Sequence, residues 1–420
     1  MNQPLSPPAR LEKVSRGSRL YEKLVINQLS QLQYGCIHLH TTEKVYELGD
    51  CEADLSVSLT VYNRQFFDSV IRGGSVGAAE SYMAGDWHCS DLTALVRILV
   101  RNQELTDEME KGLARLAGWL MKGWHFFNRN SQRGSRKNIA AHYDLGNDLF
   151  SLFLDKDWMM YSSALYFKGD ESLELAQAQK LQRLCDKLDL QPSDHLLEIG
   201  TGWGGCAIFA AQKYGCKVTT TTISREQFNH ATARVKAEGL QNQVTVLLED
   251  YRDLTGQFDK LISIEMVEAV GHHYIDGYFA RCSALLKDDG LAIIQAITIE
   301  DHRYLQAVKE VDFIKRYIFP GSFIPSVTVL SNSAAKAKLK LTNLEDIGPS
   351  YALTLAEWRQ RFMSQLDKVR ALGYPDSFIR MWEFYLCYCE GGFAERSIAD
   401  VHLLFSKPKN RRPQWVPSSG

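Results

Sequence analysis

A chain of 420 residues exceeds the usual size of one domain, so two domains, each with a sizeable core, are expected. The formal net charge of -2 provides no global field to draw a nucleic acid. Nine scattered cysteines without a Cys-x-x-Cys pair suggest neither a disulfide framework nor a zinc site, and they fit a reducing cytosol. Met1 to Arg10 is proline-rich with no apolar core segment, and no run approaches the roughly 20 apolar residues that span a bilayer. The expectation is a protein neither secreted nor transmembrane.

From Arg19 to Leu32 the apolar residues fall near helical spacing, and Leu55, Val57, Leu59 and Val61 then alternate with polar neighbours as in a half-buried strand. Cys36 to Gly49 between them is also strand-rich, so the first 100 or so residues read as a small mixed α/β domain. Gly73 to Trp87 reads as a glycine-rich turn leading into a short amphipathic helix, with a packing role. Leu113, Leu116, Leu120, Trp124 and Phe127 share one helical face, and Arg129, Arg133, Arg136 and Lys137 follow. Such an aromatic helix beside a cationic run suits a lipid interface with anionic headgroups, and it suits equally a core helix before a solvated hinge. The division expected is 1–127 for the small domain, 128–137 for a basic linker and 138–420 for the second domain.

The second domain opens with an aromatic stretch, Ala141 to Phe167, that can line an apolar pocket and act as its cap. Strands at Leu196–Ile199, Lys217–Ile223, Val244–Leu248, Lys260–Ile264 and Leu291–Ile297 then alternate with helical segments. That order implies a doubly wound, mainly parallel sheet with ligands at the carboxyl ends of its strands. Leu196 to Gly205 carries the main signal, an apolar strand running into Gly200, Gly202, Gly204 and Gly205. In the dinucleotide fingerprint an acid about 20 residues on, at the tip of the second strand, holds the ribose. Here that strand is a threonine run, and the acid, Glu198, stands before the first glycine. This arrangement resembles motif I of class I S-adenosylmethionine-dependent methyltransferases.

Several further segments resemble the cyclopropane fatty acid synthase family over most of the chain. They are Glu80–Trp87, His142–Asn147, Tyr161-Ser162, Leu197–Gly205, Thr222–Gln227, Asp250–Asp253, Glu268, Lys315–Pro320 and Cys389–Phe393. The N-terminal domain resembles that of the phospholipid-modifying members. The resemblance implies an α/β class I methyltransferase fold and transfer of a methylene from S-adenosylmethionine to a cis double bond of a phospholipid acyl chain through a carbocation. It further implies cofactor contacts from Tyr161, Ser162, Glu198, Gly200, Gly202, Thr222, Gln227, Tyr251 and Arg252. Glu268 corresponds to the carboxylate that accepts a hydrogen bond from a bound bicarbonate, and Tyr317 to its donor. Tyr161, Tyr317 and the cap aromatics suit stabilisation of a cation.

Two positions depart from the pattern. Ser163 stands where members commonly have cysteine, at a contact made through the main chain. Gln295 stands where they have histidine, and an amide donates and accepts hydrogen bonds but carries no charge near neutral pH, which bears directly on bicarbonate. A methyl-branching enzyme of the same family is the nearest alternative, and a lipid-binding protein without chemistry is a third. The partners expected are phospholipid acyl chains at the inner face of the membrane, with peripheral, cytoplasmic association; no nucleic acid and no metal are expected, and a homodimer stays open.

Overall fold

The computed structural model describes residues 16–105, 107 and 146–413, and contacts divide the chain into two units. The helix expected over 113–127, the linker 128–137 and His142-Tyr143 lie outside the described residues.

The first unit begins with α1 (Arg16–Leu29), β1 (Cys36–His40), β2 (Val45–Gly49), β3 (Ser56–Val61), α2 (Gln65–Ala84), β4 (Trp87–Cys89) and α3 (Leu92–Arg101). Its sheet has the order β2-β1-β3-β4, with β1 parallel to β3 and the outer pairs antiparallel. The alternation in β3 buries Val57, Leu59 and Val61, as the period-two pattern requires. The glycine-rich turn before a short helix is replaced by one longer helix, α2, kinked at Gly74 (φ 56°).

Two expectations change here. Cys36 and Cys51 form a disulfide, whereas the cysteine pattern suggested none. The β1–β2 register pairs Cys36 with Gly49, and this brings the turn carrying Cys51 back beside Cys36. Sequence spacing alone does not reveal that pairing. The single boundary at 128–137 is also too simple, because residues 311–318 and 358–397 belong to the first unit. The helix Asp376–Ala394 explains the second segment. Its Glu383 accepts a hydrogen bond from Tyr82 (2.7 Å), its Glu390 accepts one from Thr93 (3.0 Å), and Glu395 just beyond it pairs with Arg97 (2.6 Å). A Cβ at Gly391 would lie 2.6 Å from a Val96 side-chain carbon, so the Cys389–Phe393 segment serves close packing on α3.

The second unit carries a seven-stranded sheet, the class I methyltransferase architecture expected. Its elements are α4 (Asn147–Ser151), α5 (Leu173–Lys187), β5 (His195–Ile199), α6 (Gly205–Tyr214), β6 (Lys217–Thr222), α7 (Arg225–Ala237), β7 (Val244–Leu248), β8 (Phe258–Ile264), α8 (Ile275–Leu285), β9 (Leu286–Ile299), β10 (Lys340–Asp346) and β11 (Ile398–Ser406), with further helices between β9 and β11. The strand order is β10-β11-β9-β8-β5-β6-β7. Strands β5 to β9 pair in parallel, while β10 and β11 add an antiparallel edge. Leu196 and Ile293 pack in one core cluster while Leu197, Ala292 and Ile294 pack in another, so neighbouring residues of β5 and β9 bury opposite faces of the sheet. The chain runs from β5 outward to β6 and β7, then returns to β8 on the other side of β5. That reversal makes the carboxyl ends of β5 and β8 the switch point where such sheets hold ligands.

Candidate functional site

The loop after β5 is built from glycines with distinct tasks. Gly200 (φ 103°) turns the chain, and its N–H and that of Thr201 both donate to the Thr221 carbonyl at 3.1 Å. Gly202 (φ 52°) borders open space, for a Cβ there would meet no atom within 4 Å. Gly205 is the opposite case: its added Cβ would sit 2.1 Å from the Trp158 carbonyl oxygen, so glycine there is needed for packing. Glu198 is buried and accepts a hydrogen bond from Thr220 (2.6 Å), and burial raises its pKa to about 7. Ser224 caps α7, while the buried Thr222 hydroxyl donates to Gln227 (2.8 Å). Tyr251 packs edge-on to Tyr278, and Arg252 forms a two-pronged pair with buried Asp250 (2.8 and 2.6 Å). Arg252 is thereby committed within the chain.

Above this loop the aromatic stretch supplies an apolar wall. The Tyr161 ring lies 5.0 Å from Phe150 and 6.3 Å from Phe319, and Phe150 lies 4.9 Å from Trp203. Ser162 is buried, and its hydroxyl accepts from the buried Lys180 ammonium (2.7 Å). An open cradle over Gly202, next in the chain to Trp203 of the aromatic cluster, suits a cationic adenosyl ligand with a methyl to give.

At the end of β8 a network of carboxyl groups comes together. Glu265, the residue after β8, holds a positive φ of 46°, a conformation costing a non-glycine residue on the order of 1–3 kcal/mol. Its Oε1 accepts hydrogen bonds from the Ser163 N–H (2.7 Å) and the Gln295 amide (2.8 Å), and its Oε2 accepts one from the Tyr351 hydroxyl (2.7 Å). The second hydrogen of the Gln295 amide goes to Asp400 (2.7 Å). Two carboxyl groups sharing one donor in a dry interior cannot both be charged. Burial raises the pKa of both groups, and the Glu265 charge pushes Asp400 further, well above the carboxylate range, while hydrogen bonds from Ser163 and Tyr351 favour the ionised form of Glu265; the proton between the two therefore sits on Asp400. Glu268, in the turn Val267–Ala269, accepts from the Ile297 N–H (2.6 Å), while its other oxygen is buried without a hydrogen-bond partner. Burial and the Glu265 charge raise its pKa to about 8.

The network thus unites three of the expected residues, Ser163, Gln295 and Glu268, with Glu265, Tyr351 and Asp400, which the sequence alone did not single out. Only Glu265 left a local signal, as an acid closing an apolar strand at its carboxyl end; Tyr351 and Asp400 are joined to the site by the fold alone. Tyr317 belongs to the first unit, where its hydroxyl donates to Glu80 (2.5 Å) and Arg316 lies over its ring. The tyrosine hydroxyl in the carboxyl network is that of Tyr351.

Comparison with known proteins agrees with this geometry. The profile of the mycolic acid cyclopropane synthetase family matches residues 130–403. The chain belongs to this family. It is therefore an S-adenosylmethionine-dependent methyltransferase. It is 39% identical to tuberculostearic acid methyltransferase UfaA1 of Mycobacterium tuberculosis, over 77% of this chain and 76% of that protein. It is 37% identical to cyclopropane-fatty-acyl-phospholipid synthase of Escherichia coli, over 86% of this chain and 89% of that one. Among solved structures, mycolic acid cyclopropane synthase CmaA1 complexed with SAH and CTAB superposes with a TM-score of 0.60 at 30% identity, covering 65% of this chain and 98% of its own.

Bicarbonate, which the family resemblance implied, does not fit the residues present. An anion needs donors, and those of Ser163, Gln295 and Tyr351 all reach carboxyl groups of the chain itself. A second anion would also meet the charge of Glu265 in a low-dielectric interior.

Proposed function

We propose that this chain is a cyclopropane-fatty-acyl-phospholipid synthase, acting on cis double bonds of phospholipid acyl chains at a membrane surface. The observation that carries the reading is the match to the Escherichia coli synthase, which covers 86% of this chain and 89% of that protein. S-adenosylmethionine, held by the loop at Gly200 and Gly202, by Thr222 and Gln227 and by the aromatic residues around Tyr161, supplies an electrophilic methyl. An isolated alkene is a weak nucleophile, and its attack leaves a carbocation on the acyl chain. The faces of Tyr161 and its aromatic neighbours stabilise that cation by about 0.5–2 kcal/mol each. Apolar walls exclude the water that would otherwise trap it.

Among the described residues no helix is long and apolar enough to cross a membrane. Peripheral association through the basic run at Arg129, Arg133, Arg136 and Lys137 is part of the proposal, and it gives vesicle binding that weakens as salt rises. A methyl-branching outcome is the second reading, favoured by Gln295, because a neutral amide replaces the histidine that the resemblance expects beside the base. Expression in a host without cyclopropane lipids, followed by proton NMR of the extracted acyl chains, tests both. Strongly shielded ring protons establish the synthase; methyl-branched chains alone establish the second reading, and unaltered lipids refute both.

A further inference from the structure

The carboxyl network at the end of β8 raises a question that the proposed function leaves open. After methyl transfer, a proton must leave the transferred carbon for the ring to close, and something must take it. The resemblance assigns that task to a bound bicarbonate held by the main chain at position 163, by the side chain at 295, by Tyr317 and by Glu268. In this chain the first two groups donate to one oxygen of Glu265 at 2.7 and 2.8 Å, and a tyrosine hydroxyl, Tyr351, donates to the other at 2.7 Å. A side-chain carboxylate thus receives two of the donors expected to hold a free anion, and the hydroxyl of Tyr351 takes the place expected of Tyr317, which donates to Glu80 instead.

We infer that the Glu265 carboxylate stands in for the family's bicarbonate and is itself the base of the reaction. This inference rests on the methyltransferase reading above. The alkene π pair forms the new bond to the methyl carbon as the carbon–sulfur bond breaks, its electrons passing to sulfur. One C–H bond of that methyl then breaks, the proton goes to a Glu265 oxygen, and the freed electron pair closes the three-membered ring. In a methyl-branching outcome the same oxygen takes a proton from the chain instead. Either way Glu265 ends the turnover as a neutral acid and returns its proton to solvent.

Three further features fit this assignment. Glu265 is held in a left-handed conformation that glycine would adopt without strain, and strained residues persist where the surroundings over-determine them. Burial lowers the pKa of the fully buried Lys180 while the nearby carboxyl groups oppose that shift, and its interaction with Glu265 favours the ionised carboxylate. Asp400, kept protonated beside it, leaves one negative charge in the network, the same charge that bicarbonate would bring.

The test compares the parent protein with Glu265→Gly and Glu265→Gln in buffer stripped of carbon dioxide, with and without added bicarbonate. Glycine suits the backbone and opens the slot, whereas glutamine keeps the slot filled without a base. The parent is expected to turn over at the same rate in both buffers. Both variants are expected to fall by about a hundredfold or more in stripped buffer, the range of a lost general base. Added bicarbonate should restore Glu265→Gly by at least about tenfold and leave Glu265→Gln slow. A parent that needs bicarbonate, or a Glu265→Gln variant at parent rate, overturns the inference. A second readout needs no turnover: 13C-labelled bicarbonate should show line broadening with Glu265→Gly and none with the parent. Broadening by the parent, or by neither protein, overturns the assignment. A parent that makes no methylated lipid refutes the proposed function, and the labelled-anion measurement still decides whether Glu265 fills the slot.

Discussion

The carboxyl ends of β5 and β8 lie at one switch point of one sheet, yet they are finished in opposite ways. At β5 the chain withdraws, with glycines through the turn and open space over Gly202. At β8 the chain fills the space itself, with Glu265 receiving hydrogen bonds from Ser163, Gln295 and Tyr351. The difference teaches which component each end expects from outside. An end without side chains is shaped for a ligand that arrives and leaves, and an end saturated by its own side chains keeps its chemistry covalently attached to the protein.

The largest expected effect breaks the open end. Gly202→Val places a branched side chain in the cradle at a positive φ, so calorimetry should detect no S-adenosylmethionine binding while far-UV circular dichroism is unchanged. Parent affinity in this variant would show that the cradle is not the cofactor site.

Next come two substitutions at the filled end, which should leave cofactor affinity intact. Glu268→Gln is expected to lose roughly 10²- to 10⁴-fold in turnover, the range of a disrupted acid–base group. Turnover near that of the parent would remove Glu268 from the chemistry. Gln295→Leu deletes both amide donors; hydrogen bonds to charged groups contribute about 1.5–3 kcal/mol. A turnover loss of roughly ten- to a hundredfold is expected, and a variant indistinguishable from the parent would show that Gln295 does not hold the base.

The smallest effect concerns stability against pH. Glu268 binds its proton up to about pH 8 in the folded protein, whereas an unfolded glutamate releases it near 4.3. Between these values the folded state binds more protons, so stability falls as pH rises, by up to about 1.4 kcal/mol per pH unit. Urea midpoints measured from pH 6.5 to 8 should therefore decline less in Glu268→Gln than in the parent. Equal slopes would mean that Glu268 titrates normally.

The same contrast explains what the sequence disclosed. Strands β5 to β9 were legible because each is an apolar or, in β6, a β-branched threonine run next to helical segments, and the cradle was legible because its glycines follow closely on Glu198. Strand β11 was not, since Asp400 and His402 interrupt its apolar pattern although both are buried. Strand β10 alternates weakly and is largely half-buried. The filled end was half legible: Glu268 matches the family pattern and Ser163 and Gln295 were noticed as departures from it, while Tyr351 and Asp400 reach Glu265 from 86 and 135 residues further along the sequence. No local pattern could announce such a meeting.

The division of the first unit bears on how the protein is made. Its helices α2 and α3 emerge from the ribosome several hundred residues before the helix Asp376–Ala394 that covers them. Until that helix is synthesised, Val96 lacks its contact with Gly391 and Tyr82 its contact with Phe384, so the unit cannot complete its core cotranslationally from its N-terminal segment. Contacts between residues so far apart in sequence slow folding and leave apolar surface open to aggregation or chaperone capture during the delay. A fragment ending before residue 358 would retain the second unit's parallel strands and still lack part of the first unit's core. Supplying Asp376–Ala394 as a separate peptide would give that fragment the missing wall in trans.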